Sequence, residues 1–193
     1  MNSPASRLVL DGIGKRFPGV VALDDVSFDV RAGEVHALVG ENGAGKSTLI
    51  KIACGLYQPD SGKILLDGRE RGFRTPHEAR DAGIAVIHQE VDLFPDLSVT
   101  ENLLLGRDLP TSGSGWIDWA EARKKARRAL GEIGEELDEN RLGLSLTASE
   151  RQVLAIAAAL SQNAGVIIMD EPTASLAERE VRVLFDSIRR FRE

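Results

Sequence analysis

Val35-His36-Ala37-Leu38-Val39-Gly40-Glu41-Asn42-Gly43-Ala44-Gly45-Lys46-Ser47-Thr48 is the stretch on which the reading of this chain turns. The apolar segment Val35 to Val39 predicts a strand, Gly40, Gly43 and Gly45 a loop, and Lys46 to Ile52 a helix. The spacing is a glycine, four residues, then Gly-Lys-Ser, the pattern of a loop that cradles phosphates between a strand and a helix. Such a loop must curl until its N–H groups converge on phosphate oxygens, a path that a Cβ obstructs. Gly40, Glu41, Asn42, Gly43, Ala44, Gly45, Lys46, Ser47 and Thr48 are therefore the candidate phosphate site. The Lys46 ammonium would bridge β- and γ-phosphates, the Ser47 hydroxyl would ligate Mg²⁺, and the helix N-terminus would add partial positive charge. An accidental glycine-rich turn is the alternative, and the flanking strand and helix weigh against it.

Outward from this loop, Val166-Ile167-Ile168-Met169 is an apolar run that ends in Asp170-Glu171-Pro172. It predicts a strand buried on both faces of a parallel sheet, with its two acids at the C-terminal edge, where α/β ligands sit. Asp170 would hold Mg²⁺ and Glu171 would polarise the water attacking a γ-phosphate. Strand-end acids also cap turns, and the phosphate loop upstream is what favours chemistry here.

The remaining pattern alternates strands and helices. Leu8 to Leu10 and Val26 to Val30, separated by an Asp24-Asp25 turn, read as strands, and Ala32-Gly33 turns the chain into Val35. Lys63 to Leu66 lies between Ser61-Gly62 and Asp67-Gly68 as another strand, Thr75-Pro76 opens a helix that ends at Gly83, and Ala85 to His88 is a buried strand. From about residue 90 to 162 the pattern turns helical, at Val99 to Leu105, Asp118 to Leu137 and Glu150 to Leu160; Glu178 to Arg192 forms a closing helix. The expected fold class is α/β: a phosphate-loop NTPase core with a parallel sheet, a small antiparallel β subdomain and an inserted helical subdomain.

Composition removes several classes. The 193 residues include 42% hydrophobic ones, enough for a core, and the longest apolar run, Val153 to Leu160, is far below the ~18 residues of a membrane span. The N-terminal residues carry no signal-peptide core, which favours the cytoplasm. A net charge of -6 argues against nucleic acid as a ligand. The basic run Arg123 to Arg128 alternates with Ala122, Ala126 and Ala129 as the wet side of an amphipathic helix. Cys54, the single cysteine, excludes an internal disulfide and sits among Ile52, Ala53 and Leu56 as a small buried hydrophobe.

In order along the chain, Lys15-Arg16-Phe17-Pro18-Gly19-Val20-Val21-Ala22-Leu23, the phosphate loop, Val86-Ile87-His88-Gln89-Glu90, Leu97-Ser98-Val99-Thr100-Glu101-Asn102 and Asp170-Glu171-Pro172-Thr173 resemble the ABC transporter ATPases. Gly115-Trp116-Ile117-Asp118-Trp119 and Glu178-Arg179-Glu180-Val181 look most like the N-terminal half of tandem ATPases serving ribose-, xylose- and galactose-type importers. The resemblance implies that Phe17 stacks on adenine, the alternative being a core phenylalanine, and that Gln89 touches Mg²⁺ and the attacking water. It also implies a signature motif that binds the partner's γ-phosphate in a head-to-tail dimer. Leu144-Ser145-Leu146 looks closer by eye, but counting back from Gln152 and Leu160 places the motif at Leu146-Thr147-Ala148-Ser149-Glu150. There Thr147 keeps the hydroxyl, Ser149 replaces a glycine, and Thr147 with Glu150 forms a capping-box pattern.

Two departures stand out. Ala174-Ser175-Leu176-Ala177 lacks the family's coupling aspartate, and none of the three histidines follows Glu171, so the family's switch histidine has no counterpart. On that reading residues 1–193 are a nucleotide-binding domain truncated at its C-terminus, poorly active alone. The resemblance implies an ATP-hydrolysing subunit, using ATP and Mg²⁺, that drives import of a sugar through transmembrane permease subunits from the cytoplasmic face of the membrane, paired with a second ABC ATPase half. The rival readings are an ATP-binding dimerisation module with little hydrolysis and a soluble ABC protein of DNA repair or translation.

Overall fold

The computed structural model describes residues 6–87, 93–106, 109–113, 115–160, 164–173 and 178–192. They divide into two compact units, one of residues 1–86 with 164–170, the other of 87–163 with 171–191. No helix among the described residues is long and apolar enough to cross a membrane.

The first unit is built on a four-stranded antiparallel sheet in the order β2-β1-β3-β4, comprising β1 (Ser6–Phe17), β2 (Val20–Arg31), β3 (Ser61–Leu66) and β4 (Arg69–Arg71). Two-residue turns make its hairpins. Pro18 and Gly19 (φ 79°) close Phe17 onto Val20, the pairing of a proline with a positive-φ glycine that a type II turn needs. Asp67 (φ 53°) and Gly68 (φ 71°), both left-handed, close Leu66 onto Arg69, which matches the right-handed twist of the strands. The expected Asp24-Asp25 turn is instead part of β2. Asp25 does carry a positive φ, 52°, but it sits among register shifts between two long strands, so the irregularity is absorbed as a bulge.

Leu8, Leu10 and Ile13 point from β1 into a core shared with Leu49 and Ile52 of α1 (Lys46–Ala53) and Ile64 of β3. Cys54, the residue after α1, is buried as a free thiol, and burial pushes its pKa up, which favours the protonated form. Thr75 caps α2 (Pro76–Asp81) by accepting from the Glu78 N–H at 3.3 Å, with proline at the first helical position. β5 (Ile84–Ile87) and β6 (Val166–Met169) form a second sheet; the Gly165 and Val166 N–H groups both donate to the Gly83 carbonyl, so the two strands start together and run parallel.

Two further expectations for this unit are corrected. Val35 to Val39 is not a strand: no ladder includes it among the described residues, and Val39 is 87% exposed. A parallel strand draws all its ladder bonds from neighbours, and apolar composition alone does not supply them. For the same reason Val166 to Met169, though a strand, is half-buried rather than buried on both faces, since its described sheet has two strands.

In the second unit α3 (Val99–Leu104), α4 (Trp119–Glu132) and α5 (Ala148–Leu160) pack on one another, and α6 (Glu178–Arg192) follows. Ala122, Ala126, Ala129 and Leu130 form the buried stripe of α4, leaving its basic run outside in ion pairs such as Arg127–Glu139 and Arg128–Glu132. The helix stops at Glu132, short of Leu137, because Gly134 turns left-handed (φ 72°) and its N–H bonds back to the Gly131 carbonyl. Leu97 to Asn102 has a structural task. Ser98 and Glu101 form a reciprocal capping box on α3, while the buried Asn102 accepts from the Phe94 N–H at 2.8 Å and donates to the carbonyls of Phe94, Leu97 and Ser98, each at 3.0 Å. Asn102→Ala removes every one of these at once. A loss of about 2–3 kcal/mol in unfolding free energy is expected from denaturant melts, and a loss below about 0.5 kcal/mol would contradict this role.

Candidate functional site: the phosphate loop and its neighbours

The loop leaves Gly40, makes a turn in which the Ala44 N–H donates to the Glu41 carbonyl at 3.1 Å, and enters α1 through Gly45. Gly43 and Gly45 have φ of 85° and 87°. At Gly45 a Cβ would lie 2.5 Å from the Ala22 carbonyl oxygen and 2.8 Å from Leu23 Cδ2, so glycine is required both by conformation and by the close passage of the loop over β2. Gly45 is also the N-cap of α1 and offers no side-chain acceptor, and the first turn holds no acid. The helix therefore presents its first N–H groups and its positive dipole end to an incoming anion.

Lys46 folds back over this loop. Its Nζ donates to the carbonyls of Gly40 at 2.7 Å and Glu41 at 2.9 Å, which places the ammonium against the loop rather than out in solvent. Ser47 lies exposed on the first helical turn, with Thr48 beside it partly covered.

Phe17 is the last residue of β1, half-buried, beside the Pro18-Gly19 turn. It is therefore not a core phenylalanine. Its ring meets Tyr57 edge-on, with centroids 5.5 Å apart and planes at 68°, and the Lys15 ammonium lies 5.8 Å from its centroid. Lys15 is anchored by Asp60 at 2.7 Å, whose carboxyl is held below the usual range by that lysine. Lys15 stands in the stretch Lys15 to Leu23, two residues before Phe17 on the same strand. Tyr57 was not singled out from sequence, because its contact with Phe17 joins residues forty positions apart that only the folded chain brings together. Phe17 pairs with Val20, two residues before the Ala22 over which Gly45 passes, so ring and loop are separated by about 7 Å of strand.

Asp170 follows β6 and is half-buried; Glu171 is exposed with φ 45°. A non-glycine residue there is uncommon and costs about 1 kcal/mol or more, a strain that clusters at functional positions. Gln89 lies outside the described residues, as do Ala174 to Ala177.

In the second unit, Thr147 stands immediately before α5 and Glu150 in its first turn. The Glu150 N–H donates to Thr147 Oγ1 at 3.3 Å and the Thr147 N–H donates to Glu150 Oε2 at 2.7 Å, a reciprocal capping box; Ser149 Oγ lies 3.2 Å from Thr147 Oγ1. Leu144 and Ser145 belong instead to a short 3-10 turn, Gly143–Ser145. α5 begins at Ala148, directly after Thr147.

A phosphate loop opening a helix, a strand ending in two acids and an intervening helical unit are the parts of an ATP-binding cassette. Residues 23–174 match the ABC transporter family, and the chain belongs to it. It is 56% identical over 182 residues to the arabinose import ATP-binding protein AraG 1 of Burkholderia cenocepacia, a match covering 94% of this chain and 36% of that protein. It is 53% identical over 188 residues to the arabinose import ATP-binding protein AraG of Paraburkholderia xenovorans, covering 97% and 36%. The chain spans little more than a third of the length of these curated relatives. An ATP-binding cassette of an ABC transporter solved in its ADP conformation has the same fold, with a TM-score of 0.84 at 27% identity over 97% of this chain and 77% of that one.

Proposed function

We propose that this chain is the nucleotide-binding cassette of a sugar importer, with the helical segment at about 90–162 inserted in it, binding and hydrolysing ATP to drive transmembrane permease partners. The observation that carries the reading is the phosphate loop: left-handed Gly43 and Gly45, an uncapped helix N-terminus, and Lys46 held over the loop carbonyls. That arrangement neutralises triphosphate charge with backbone N–H groups, a helix dipole and one ammonium. Phe17, supported at its edge by Tyr57, would take the adenine.

The Ser47 hydroxyl and the Asp170 carboxylate are hard oxygen donors, the set that Mg²⁺ shares with waters and phosphate oxygens, so the residues fit that ion. When bound, Mg²⁺ would neutralise charge on the β- and γ-phosphates. Glu171 would hold and polarise the attacking water, and Gln89 would contact that water. Thr147, Ser149 and Glu150 would face the γ-phosphate held by a second ABC ATPase half paired head to tail. Such a subunit works at the cytoplasmic face of the membrane as a peripheral protein. The relatives' names point to arabinose as the sugar. Substituted for the matched portion of the Burkholderia cenocepacia relative, this chain should support ATP-driven arabinose uptake; ATP binding without uptake would reject the importer assignment.

Phe17→Ala should weaken ATP and ADP to the same extent, by about 1–3 kcal/mol, because stacking acts on the base and not on the γ-phosphate. Calorimetric titration with both nucleotides checks this, and a loss confined to ATP would contradict it.

A further inference from the structure

The segment from residue 141 to 151 is held by a network that a phosphate contact at Thr147 does not itself demand. Arg141 lies before the 3-10 turn and Glu150 in the first turn of α5, nine residues apart. The guanidinium clasps the carboxylate with both arms, Nη1 donating to Oε1 at 2.6 Å and Nη2 to Oε2 at 3.2 Å. Nη2 also donates to the Ser145 carbonyl at 2.7 Å, and Ser145 Oγ donates to the Leu142 carbonyl at 2.8 Å. The fork geometry of arginine suits this double grip, and a lysine could not reproduce it.

Glu150 Oε2 is at the same time the acceptor for the Thr147 N–H, so the arginine, the carboxylate and the threonine form one chain of bonds ending at the Thr147 hydroxyl. Hydrogen bonding from Arg141 is the main reason the Glu150 carboxyl is held below its ordinary range, so the group is a full carboxylate at neutral pH. A carboxylate at this helix start has two opposing effects. It stabilises the helix dipole, and it repels an incoming phosphate. The guanidinium resolves the conflict by neutralising that charge through two hydrogen bonds while the carboxylate still accepts from the Thr147 N–H.

We infer that Arg141 is a positioning residue: acting through Glu150, it sets the Thr147 hydroxyl and the start of α5 to receive the γ-phosphate bound by a second copy or half, and it neutralises the carboxylate that would otherwise repel that phosphate. The inference rests on the reading of Thr147 to Glu150 as the face toward a partner's nucleotide. It adds a residue outside the motif, reached through the turn rather than through the helix.

The test uses this chain with Glu171→Gln throughout, so that ATP is not consumed, and measures pairing of two copies by analytical ultracentrifugation in Mg-ATP and in Mg-ADP. The ratio of the two affinities reads the γ-phosphate, which a purely structural role would not change; melting temperature reads the structural role. The unaltered chain should pair more tightly in ATP, and Thr147→Ala should erase the difference. Arg141→Ala should lower the ATP-over-ADP ratio about tenfold without weakening nucleotide binding to the single chain, and Arg141→Lys should recover part of it. The exchange Arg141→Glu with Glu150→Arg restores an ion pair but leaves no acceptor for the Thr147 N–H; it should recover melting temperature and not the ratio. If Thr147→Ala erases the ratio and Arg141→Ala leaves it intact, or if the exchange restores it, Arg141 is only a staple and the inference fails. If the unaltered chain shows no preference for ATP, the reading of this face fails first and the inference falls with it.

Discussion

Lys46→Ala is expected to abolish measurable Mg-ATP binding, lowering affinity by about a thousandfold while leaving the melting temperature of the chain within a few degrees. The structure holds this side chain directly over the loop, with its Nζ on the carbonyls of Gly40 and Glu41. A triphosphate displaces those weak neutral acceptors with charged oxygens, and charge-assisted bonds are roughly twice as strong as neutral ones. Removing the ammonium leaves two carbonyl oxygens pointing toward the approaching phosphates, so repulsion is added to lost attraction. The fold should survive, because the core beneath α1 is made by Leu49, Ile52 and Ala53, not by Lys46. Isothermal titration of both proteins with Mg-ATP decides the matter, and equal affinities would sink the phosphate-site assignment.

The second large effect is on turnover. In any assembly where this cassette hydrolyses ATP, Glu171→Gln should cut phosphate release by about a hundred- to ten-thousandfold, the usual worth of a positioned general base, and leave ATP affinity nearly unchanged. Glutamine preserves size and hydrogen bonding but cannot take a proton. Glu171 is exposed and left-handed at φ 45°, a conformation that the apolar strand before it does not need. Asp170→Asn should behave differently: if it is an Mg²⁺ ligand, its loss should weaken ATP affinity in magnesium and have little effect in its absence. Stopped-flow phosphate release beside nucleotide titration separates the two acids. Turnover that survives Glu171→Gln would remove the glutamate from the chemistry.

What residues 1–193 determine unaided is local. The phosphate loop, the Thr75, Ser98 and Thr147 caps, the Asp67-Gly68 turn and the span of α6 all depend on residues within a few positions of one another, so composition and spacing are enough to specify them. The same holds for the buried stripe of α4, where a helical period separates alanines from the basic run. Tertiary structure decides what depends on distant partners. Val35 to Val39 has strand composition, but a strand exists only where neighbours complete its ladder; the half-burial of β6 follows the same rule. Asp24-Asp25 has turn composition, but pairing along two twelve-residue strands carries it through as a bulge. The contact of Tyr57 with Phe17 and the grip of Arg141 on Glu150 bridge forty and nine residues of chain, and no periodicity encodes either, because each exists only once the turns between them have closed.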